Sequence, residues 1–448
     1  MNKALLLISS SILLSGCFAT GQNFSPPKSP ESWQRQAETI TEIDKLKDWW
    51  LKFDDPNLNK LVELTLADSP DRLAAEARIL EARGLRRSAR SSLFPQINAS
   101  ASGNRQDDGA NPVDNFHDAR FDASYEIDIF GKNRKNVSAA NAQIRAAEAR
   151  YHDTTLTLIS DVVRSYIDHR AFQKQTNIAK KNLVIQQKTL ELIRRQREFG
   201  EAPQLDVERA ENLVNTTQAS IPEFQRLADN ARLQLSVLTG QLPADIAPIL
   251  SDNMNIPGSQ VQPVLMAPAK VIAFRADIRA AHANLIANTA LAESVTAELF
   301  PTFTLSGFFG VAETAFASST SIWNVALGAA VSILDFGRIE GRIDAARARE
   351  VEAYQLYRRT VLEAVTEVET ALNDTARIDE RYISLNKAYQ NADKALHLSE
   401  TLYKEGEVSF LDVLDAQRTV NEAESQLITA QAAQVESLVR LYKSLGIY

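Results

Sequence analysis

Laid on itself with an offset of 206 residues, this chain of 448 residues matches at seven landmarks, in order and without a gap. Asp71 falls on Asp277, Ala74-Ala75 on Ala280-Ala281, Phe94-Pro95 on Phe300-Pro301 and Phe130-Gly131 on Phe336-Gly337. Gly200 falls on Gly406, Leu205-Asp206-Val207 on Leu411-Asp412-Val413, and Gly240 on Gly446. One constant spacing over so many positions means two structurally equivalent halves, 33–240 and 273–448. Between them, 241–272 carries Pro243, Pro248, Pro257, Pro263 and Pro268, which rule out a helix and mark the connection.

Each half reads as helix, strand pair, very long helix, turn, helix. From Lys132 to Phe199 there are 68 consecutive residues without Gly or Pro, and from Arg342 to Glu405 there are 64. The spacing predicts helices over about 132–199 and 338–405, the first some 100 Å long at about 1.5 Å per residue. Lys, Arg, Asp and Glu are spread along both, so neither crosses lipid. An inward ladder runs from Tyr357 through Val361, Ala364, Val368 and Leu372 to Tyr403, at an average step of about 3.5 residues, the coiled-coil period.

The strand pairs use the other period. From Asp118 to Ile129 every odd position is apolar and every even one polar, and Gln96 to Asn104 alternates in the same way. In the second half, Phe303, Leu305, Phe309 and Val311 share a parity, as do Trp323, Val325, Leu327, Ala329, Val331 and Ile333. Strands are expected at about 96–104, 118–130, 302–311 and 322–334. Their lengths match tilted transmembrane β-strands, and Asp118, Arg120, Asp122, Glu126 and Asp128 need a wet face. A one-sided soluble sheet has the same alternation. Four strands cannot close a barrel, and an open edge in hydrocarbon leaves backbone groups unpaired at several kcal/mol each, so the chain must borrow strands from sister copies. Eight, 12 or 16 strands are all arithmetically allowed.

Met1-Asn2-Lys3, the apolar run Ala4 to Leu14 and Leu14-Ser15-Gly16-Cys17 read as an export signal, 1–16, followed by a lipid anchor and linker, 17–32. The run is too short to span a bilayer. Cys17 is the only Cys in the chain, and Leu-Ser-Gly-Cys resembles the bacterial lipobox, which implies cleavage before Cys17 and its acylation. Phe18 stands where lipoproteins of this kind carry Asp when they are retained in the inner membrane, so the resemblance points outward. Gly and Pro make up only about 7% of the chain against an average near 12%, which removes loop-rich and low-complexity classes. The net charge of −8 offers no basic excess for nucleic acid. The five His lie far apart, no HExxH or CxxC occurs, and no nucleophile stands with a base, so neither a metal, another cofactor, nor an enzyme activity is expected.

The lipobox, Asp48-Trp49-Trp50 with Phe53-Asp54-Asp55-Pro56-Asn57-Leu58, Arg275-Ala276-Asp277-Ile278-Arg279-Ala280-Ala281, Leu334-Asp335-Phe336-Gly337-Arg338, and Gly406 through Leu411-Asp412-Val413-Leu414-Asp415-Ala416-Gln417 together resemble the outer-membrane efflux lipoproteins of the TolC/OprM/NodT type. The family commonly has Pro at the place of Ala276 and Glu at that of His282. The resemblance implies a mainly α protein with a small transmembrane β part. It implies a homotrimer with a 12-stranded barrel continuous with a periplasmic helical barrel, anchored in the outer membrane. The implied function is the exit duct of a tripartite efflux system, passing drugs or small molecules from an RND-type or ABC-type inner-membrane pump and a periplasmic adaptor. Two alternatives are the duct of a type I protein-secretion system and a periplasm-spanning structural lipoprotein without a channel.

Under that resemblance the turns 199–203 and 404–408 are tips facing the inner membrane, with Gly200, Leu205, Gly406, Ser409 and Phe410 as the adaptor surface. Leu411, Asp412 and Asp415 match the periplasmic gate, where a three-fold axis turns one inward Asp into a ring of charge. Carboxylates at a helix start also stabilise that terminus through the macrodipole. Tyr403 and Asp206 occupy the positions of a polar lock between hairpins, while Val408 stands where a relative has Arg.

Overall fold

The computed structural model describes residues 24–25, 27–28, 30–34, 47–106, 109, 114–250, 255–258, 265–314 and 317–448. Cys17 and the export signal lie outside the described residues. In chain order come α1 (Pro56–Asp68), α2 (Pro70–Ser91), β1 (Gln96–Gln106), β2 (Asp114–Ile127), α3 (Lys132–Glu198), α4 (Gln204–Thr239), α5 (Pro243–Ile246), α6 (Pro268–Phe274), α7 (Ala276–Thr296), β3 (Thr302–Thr314), β4 (Ala317–Ala330), α8 (Arg338–Glu405) and α9 (Phe410–Leu445). The chain divides into two compact units. One comprises Arg83–Ile144 and Ala283–Leu356 with the described residues up to Pro27; the other comprises the described residues of Lys28–Ala82, Arg145–His282 and Tyr357–Tyr448.

The first unit holds the sheet, a four-stranded antiparallel meander in the order β1-β2-β3-β4 with β1 and β4 at its edges. The repeat holds in its register. Gln96 pairs with Ser124, and adding 206 to both gives Thr302 with Ala330, the pairing observed between β3 and β4. β2 and β4 differ from the alternation-based ranges: both start four or five residues earlier, and they end at Ile127 and Ala330 rather than near 130 and 334. β4 ends at Ala330 because β3 starts opposite it at Thr302, and carboxylates then open both long helices. Asp128 turns from the ladder to accept the backbone N–H groups of Asn133 and Arg134 at 3.1 and 2.9 Å, and Asp335 accepts those of Gly337 and Ile339 at 3.1 and 3.0 Å. These carboxylates satisfy the orphan donors of the first turns of α3 and α8.

The second unit is helical around a core of Trp49, Leu58, Leu61, Val162, Tyr166, Leu235, Val368, Val435 and Tyr442. Its packing explains two of the sequence motifs. Trp49 is fully buried and stacks on Tyr442 at 5.4 Å. Asp55 caps α1 through Asn57 and Leu58 N–H groups, while its other oxygen accepts the Tyr166 hydroxyl at 2.7 Å. Arg275 forks onto Asp277 at 3.0 and 2.7 Å, reaches Glu367 at 2.7 Å and donates to the Ser444 carbonyl at 2.6 Å, tying α7, α8 and α9 together. Every residue of the ladder from Tyr357 to Tyr403 is buried or half-buried. The connection is not devoid of helix: Pro243 and Pro268 each open a short one, at the N1 position where a missing N–H costs nothing. Among the described residues no helix is long and apolar enough to cross a membrane.

Candidate functional site

Two places carry chemistry, the sheet and the hairpin tips. On the sheet, Phe121, Phe309, Trp323, Val325 and Leu327 are exposed from one face of their strands. On the other face Arg120 sits 3.2 Å from Asp122 and 3.9 Å from Asp118, with its guanidinium 5.4 Å from the Phe308 ring centroid. Ser100 donates to Asp122 at 2.8 Å and Ser102 to Asp118. Glu126 pairs with Lys132 at 3.7 Å. One face is thus suited to an apolar solvent and the other to water.

At the tips both long helices end in the same way. Gly200 and Gly406 have φ of 78° and 79°, and the following residues close the helix end through Glu201 N–H to Gln196 O at 2.8 Å and Glu407 N–H to Leu402 O at 2.9 Å. A Cβ at either glycine would meet nothing within 4 Å, so the requirement is the left-handed backbone rather than space. Leu190, Ile193, Val207, Val214, Phe410, Val413 and Leu414 form a core joining the two hairpins.

The structure brings some of the expected site residues together and separates others. Gly200, Leu205, Gly406 and Ser409 are exposed on the tips. Phe410 is not part of that surface: it is 5% exposed, with its ring 5.6 Å from Tyr403, because α9 turns it into the core between hairpins. Tyr403 and Asp206 do not form a lock with each other in this chain. The Tyr403 hydroxyl donates to Gln196 Oε1 at 2.9 Å, and Asp206 faces Arg209 at 3.6 Å one turn along α4.

Leu411, Asp412 and Asp415 are exposed on the first turns of α9. Asp412 accepts both the hydroxyl and the backbone N–H of Ser409, at 2.6 and 2.9 Å, and these bonds hold its carboxyl below the usual range. It therefore serves the helix start. Asp415 accepts from Arg418 at 2.7 Å. Leu411 and Asp415 line a groove of about 310 Å³ with Arg209 and Arg418. Gln196, Arg209 and Arg418 were missed by sequence reasoning. Arg209 and Arg418 each stand three residues after an Asp, a spacing that signals an ion pair on a helix; Gln196 carries no comparable signal. Among the described residues no group of three or more His, Cys, Asp or Glu is placed to hold a metal ion.

The family model described as "Outer membrane efflux protein" matches residues 61–241 and again 267–447, two matches 206 residues apart. The chain belongs to the outer membrane efflux protein family. It is 29% identical to the pyoverdine export outer membrane protein OpmQ of Pseudomonas aeruginosa, over 99% of this chain and 96% of that one. It is 30% identical to nodulation protein T of Rhizobium leguminosarum bv. viciae, over 96% of this chain and 90% of that one. The structure of the outer-membrane channel OprN superposes with a TM-score of 0.88 at 31% identity, covering 95% of this chain and 98% of that one. The chain is accordingly an outer-membrane exit duct of efflux systems with a TolC-like fold and an internal two-fold repeat, and family and fold are those of channels rather than enzymes.

Proposed function

We propose that this channel works as a lipid-anchored homotrimer, 12 strands closing the barrel, and passively conducts drugs or other small molecules received from a periplasmic adaptor and an RND-type or ABC-type inner-membrane pump. The observation that carries the reading is the sheet: one apolar face is exposed, the polar face carries Arg120 between two carboxylates, and among the described residues neither edge strand has an outer partner. Such a sheet is stable in hydrocarbon only when sister sheets close it. Reconstitution in planar bilayers with imaging of the detergent-solubilised particle tests this directly. A three-fold particle with step conductances is expected; a compact single subunit that conducts nothing overturns it.

Cys17 is the proposed anchor. Phe24 stacks on Tyr354 at 4.3 Å, and the Tyr354 hydroxyl donates to the Ser25 carbonyl at 3.0 Å. Tyr354 lies 16 residues into α8, about 24 Å of helix from Arg338. The seven residues from Cys17 to Phe24 reach about 24 Å when extended. That length of chain is enough for an acylated Cys17 to reach the level at which the chain leaves the sheet. Mass spectrometry of the N-terminal peptide should find acyl chains in the wild type and none in Cys17→Ser.

At the tips, Gly200, Leu205, Gly406 and Ser409 form the proposed adaptor surface, and Leu411 with Asp415 the narrow point. Leu205→Cys should crosslink to an adaptor, and crosslinks confined to the strand end reject that assignment. Arg418 at 2.7 Å offsets the Asp415 charge, so Asp415→Asn is expected to lower cation selectivity modestly and Arg418→Gln to raise it.

A further inference from the structure

The alternation that gives the sheet a wet face fails there at two places in mid-sheet. Residues directly opposite each other across an antiparallel pair share a face, so the register of β2, β3 and β4 lays that face out in rows: Asp122, Phe308 and Asn324 in one, and Arg120, Gly310 and Ile322 in the next. Apart from Phe116 near the start of β2, Phe308 and Ile322 are the large apolar residues at even positions of the four strands. They lie diagonally across β3 and β4, within reach of each other for an aromatic side chain, and both are half-buried. Their surroundings are fixed. The Arg120 guanidinium lies 5.4 Å from the Phe308 ring centroid and is held by Asp122 at 3.2 Å and Asp118 at 3.9 Å. Ser100 and Ser102 donate to Asp122 and Asp118 in turn, which orients both carboxylates. A Cβ at Gly310 would collide with the Ala119 carbonyl oxygen and with Arg120, so no side chain can stand between Arg120 and Ile322 in their row.

We infer that Phe308, Ile322 and Asp122 form a resting site on the inner wall for a solute that joins an aromatic ring to a positive charge, with the ring on Phe308 and Ile322 and the cation on Asp122. The site rests on the duct reading above and names a class of passenger for it. Three observations carry it. Apolar side chains on a water-facing wall are stabilised when a passing ring takes their exposed area out of water. Two carboxylates against one guanidinium leave one negative charge in excess, and Asp122, with 37% of its side chain exposed, stands directly opposite Phe308, about 5 Å away between Cβ atoms. That charge and the negative face of the Phe308 ring both favour cations over anions. Finally, the fold does not require this combination: under the offset of 206, Phe308 corresponds to Ser102 and Asp122 to Gly328. Contacts of this kind are strong enough to hold a solute briefly and weak enough to let it leave, as conduction demands.

Single-channel recording in planar bilayers tests the site. The probe is benzyltrimethylammonium; tetramethylammonium serves as the cation without a ring, and benzenesulfonate as the ring with the opposite charge. Benzyltrimethylammonium should reduce the wild-type current with an apparent affinity about threefold to fivefold above that of tetramethylammonium, and benzenesulfonate should not compete with it. Phe308→Ser should make the two cations equivalent while leaving the conductance in potassium chloride unchanged. Ile322→Ser should lower the preference about twofold, and it provides a second variant if Phe308→Ser does not insert. Asp122→Asn should weaken block by both cations alike, because it removes the charge and keeps the ring contact. Ser306→Ala, two residues from Phe308 on the same face of β3, should change none of these. A conducting wild type that treats the two cations alike, a preference that survives both Phe308→Ser and Ile322→Ser, or stronger block by benzenesulfonate overturns the site while leaving the duct intact. A protein that conducts nothing overturns the duct reading itself.

Discussion

α2 and α7 occupy the same place in the two halves, yet they are not equally covered. α7 buries Ala283, Leu285, Ala287, Ala290, Ala292 and Ser294. The equivalent residues of α2 are Ala77, Ile79, Glu81, Gly84, Arg86 and Ser88, of which only Ile79 is even half-buried. α7 lies between the two halves of its own chain, as the bonds from Ser294 to Lys132 and from Thr289 to Glu350 record. α2 has the same construction and lacks one neighbour. In the proposed closed ring, α2 gains from the next copy the neighbour that α7 already has within its own chain.

The largest expected effect comes from comparing two repeat-equivalent phenylalanines, Phe130, which stacks on Phe300 within the chain, and Phe336, which is 91% exposed. Phe336→Ala should abolish most of the SDS-resistant oligomer while leaving the helical content by circular dichroism unchanged. Phe130→Ala should instead lower the unfolding free energy of the protomer itself, by about 3 kcal/mol or less because its ring is only half covered. Equal effects of the two variants would break the comparison.

A pH dependence should follow from the seam inside the chain. Asp168 on α3 and Glu436 on α9 neighbour each other, and burial raises both; the Asp168 charge adds to the rise of Glu436, to about 7, while Arg164 opposes both and Arg440 opposes that of Glu436. A carboxyl with a raised folded-state pKa stabilises the fold below its unfolded value, and that contribution is lost as the pH rises through the folded value. Thermal stability should therefore fall between about pH 4.5 and pH 7, and Glu436→Gln should flatten the profile. The repeat-equivalent residues are Asp374 and Asn230, a carboxyl and an amide, so the seam between copies should not share this titration.

At the tips the repeat diverges, and smaller effects are expected. Tyr403 and Gln196 hydrogen-bond within the chain, but their equivalents are Arg197 and Leu402, which cannot make the same bond. Tyr403→Phe should cost about 1 kcal/mol of closed-state stability, read as a modest rise in single-channel conductance. Asp206→Ala should leave conductance nearly unchanged. The smallest effect is expected from Ser88→Ala, at the repeat equivalent of Ser294, which should lower the dissociation temperature of the oligomer by a few degrees at most.

Much of the fold was legible in the sequence because it depends on period and spacing. The repeat, the helices running from Lys132 and to Glu405, the alternation that places Phe121 and Asp122 on opposite faces, and the glycines that end each tip are properties of local order, and physics reads them locally. The offset of 206 even carried the register of the hairpins. What needed the tertiary structure were choices among partners. Phe410 looked like a surface residue beside a turn, and only the approach of the second hairpin buries it. Tyr403 had two polar residues within plausible reach, and the packing of α3 against α8 selected Gln196. Asp412 went to its own helix start because Ser409 offers two donors at no cost in chain ordering. The end of β4 was decided by where β3 begins, at Thr302, and that of β2 lies beside Asp128, whose carboxylate serves the start of α3. Sequence determines which residues recur and with what period; which of them meet depends on distances that only the folded chain defines.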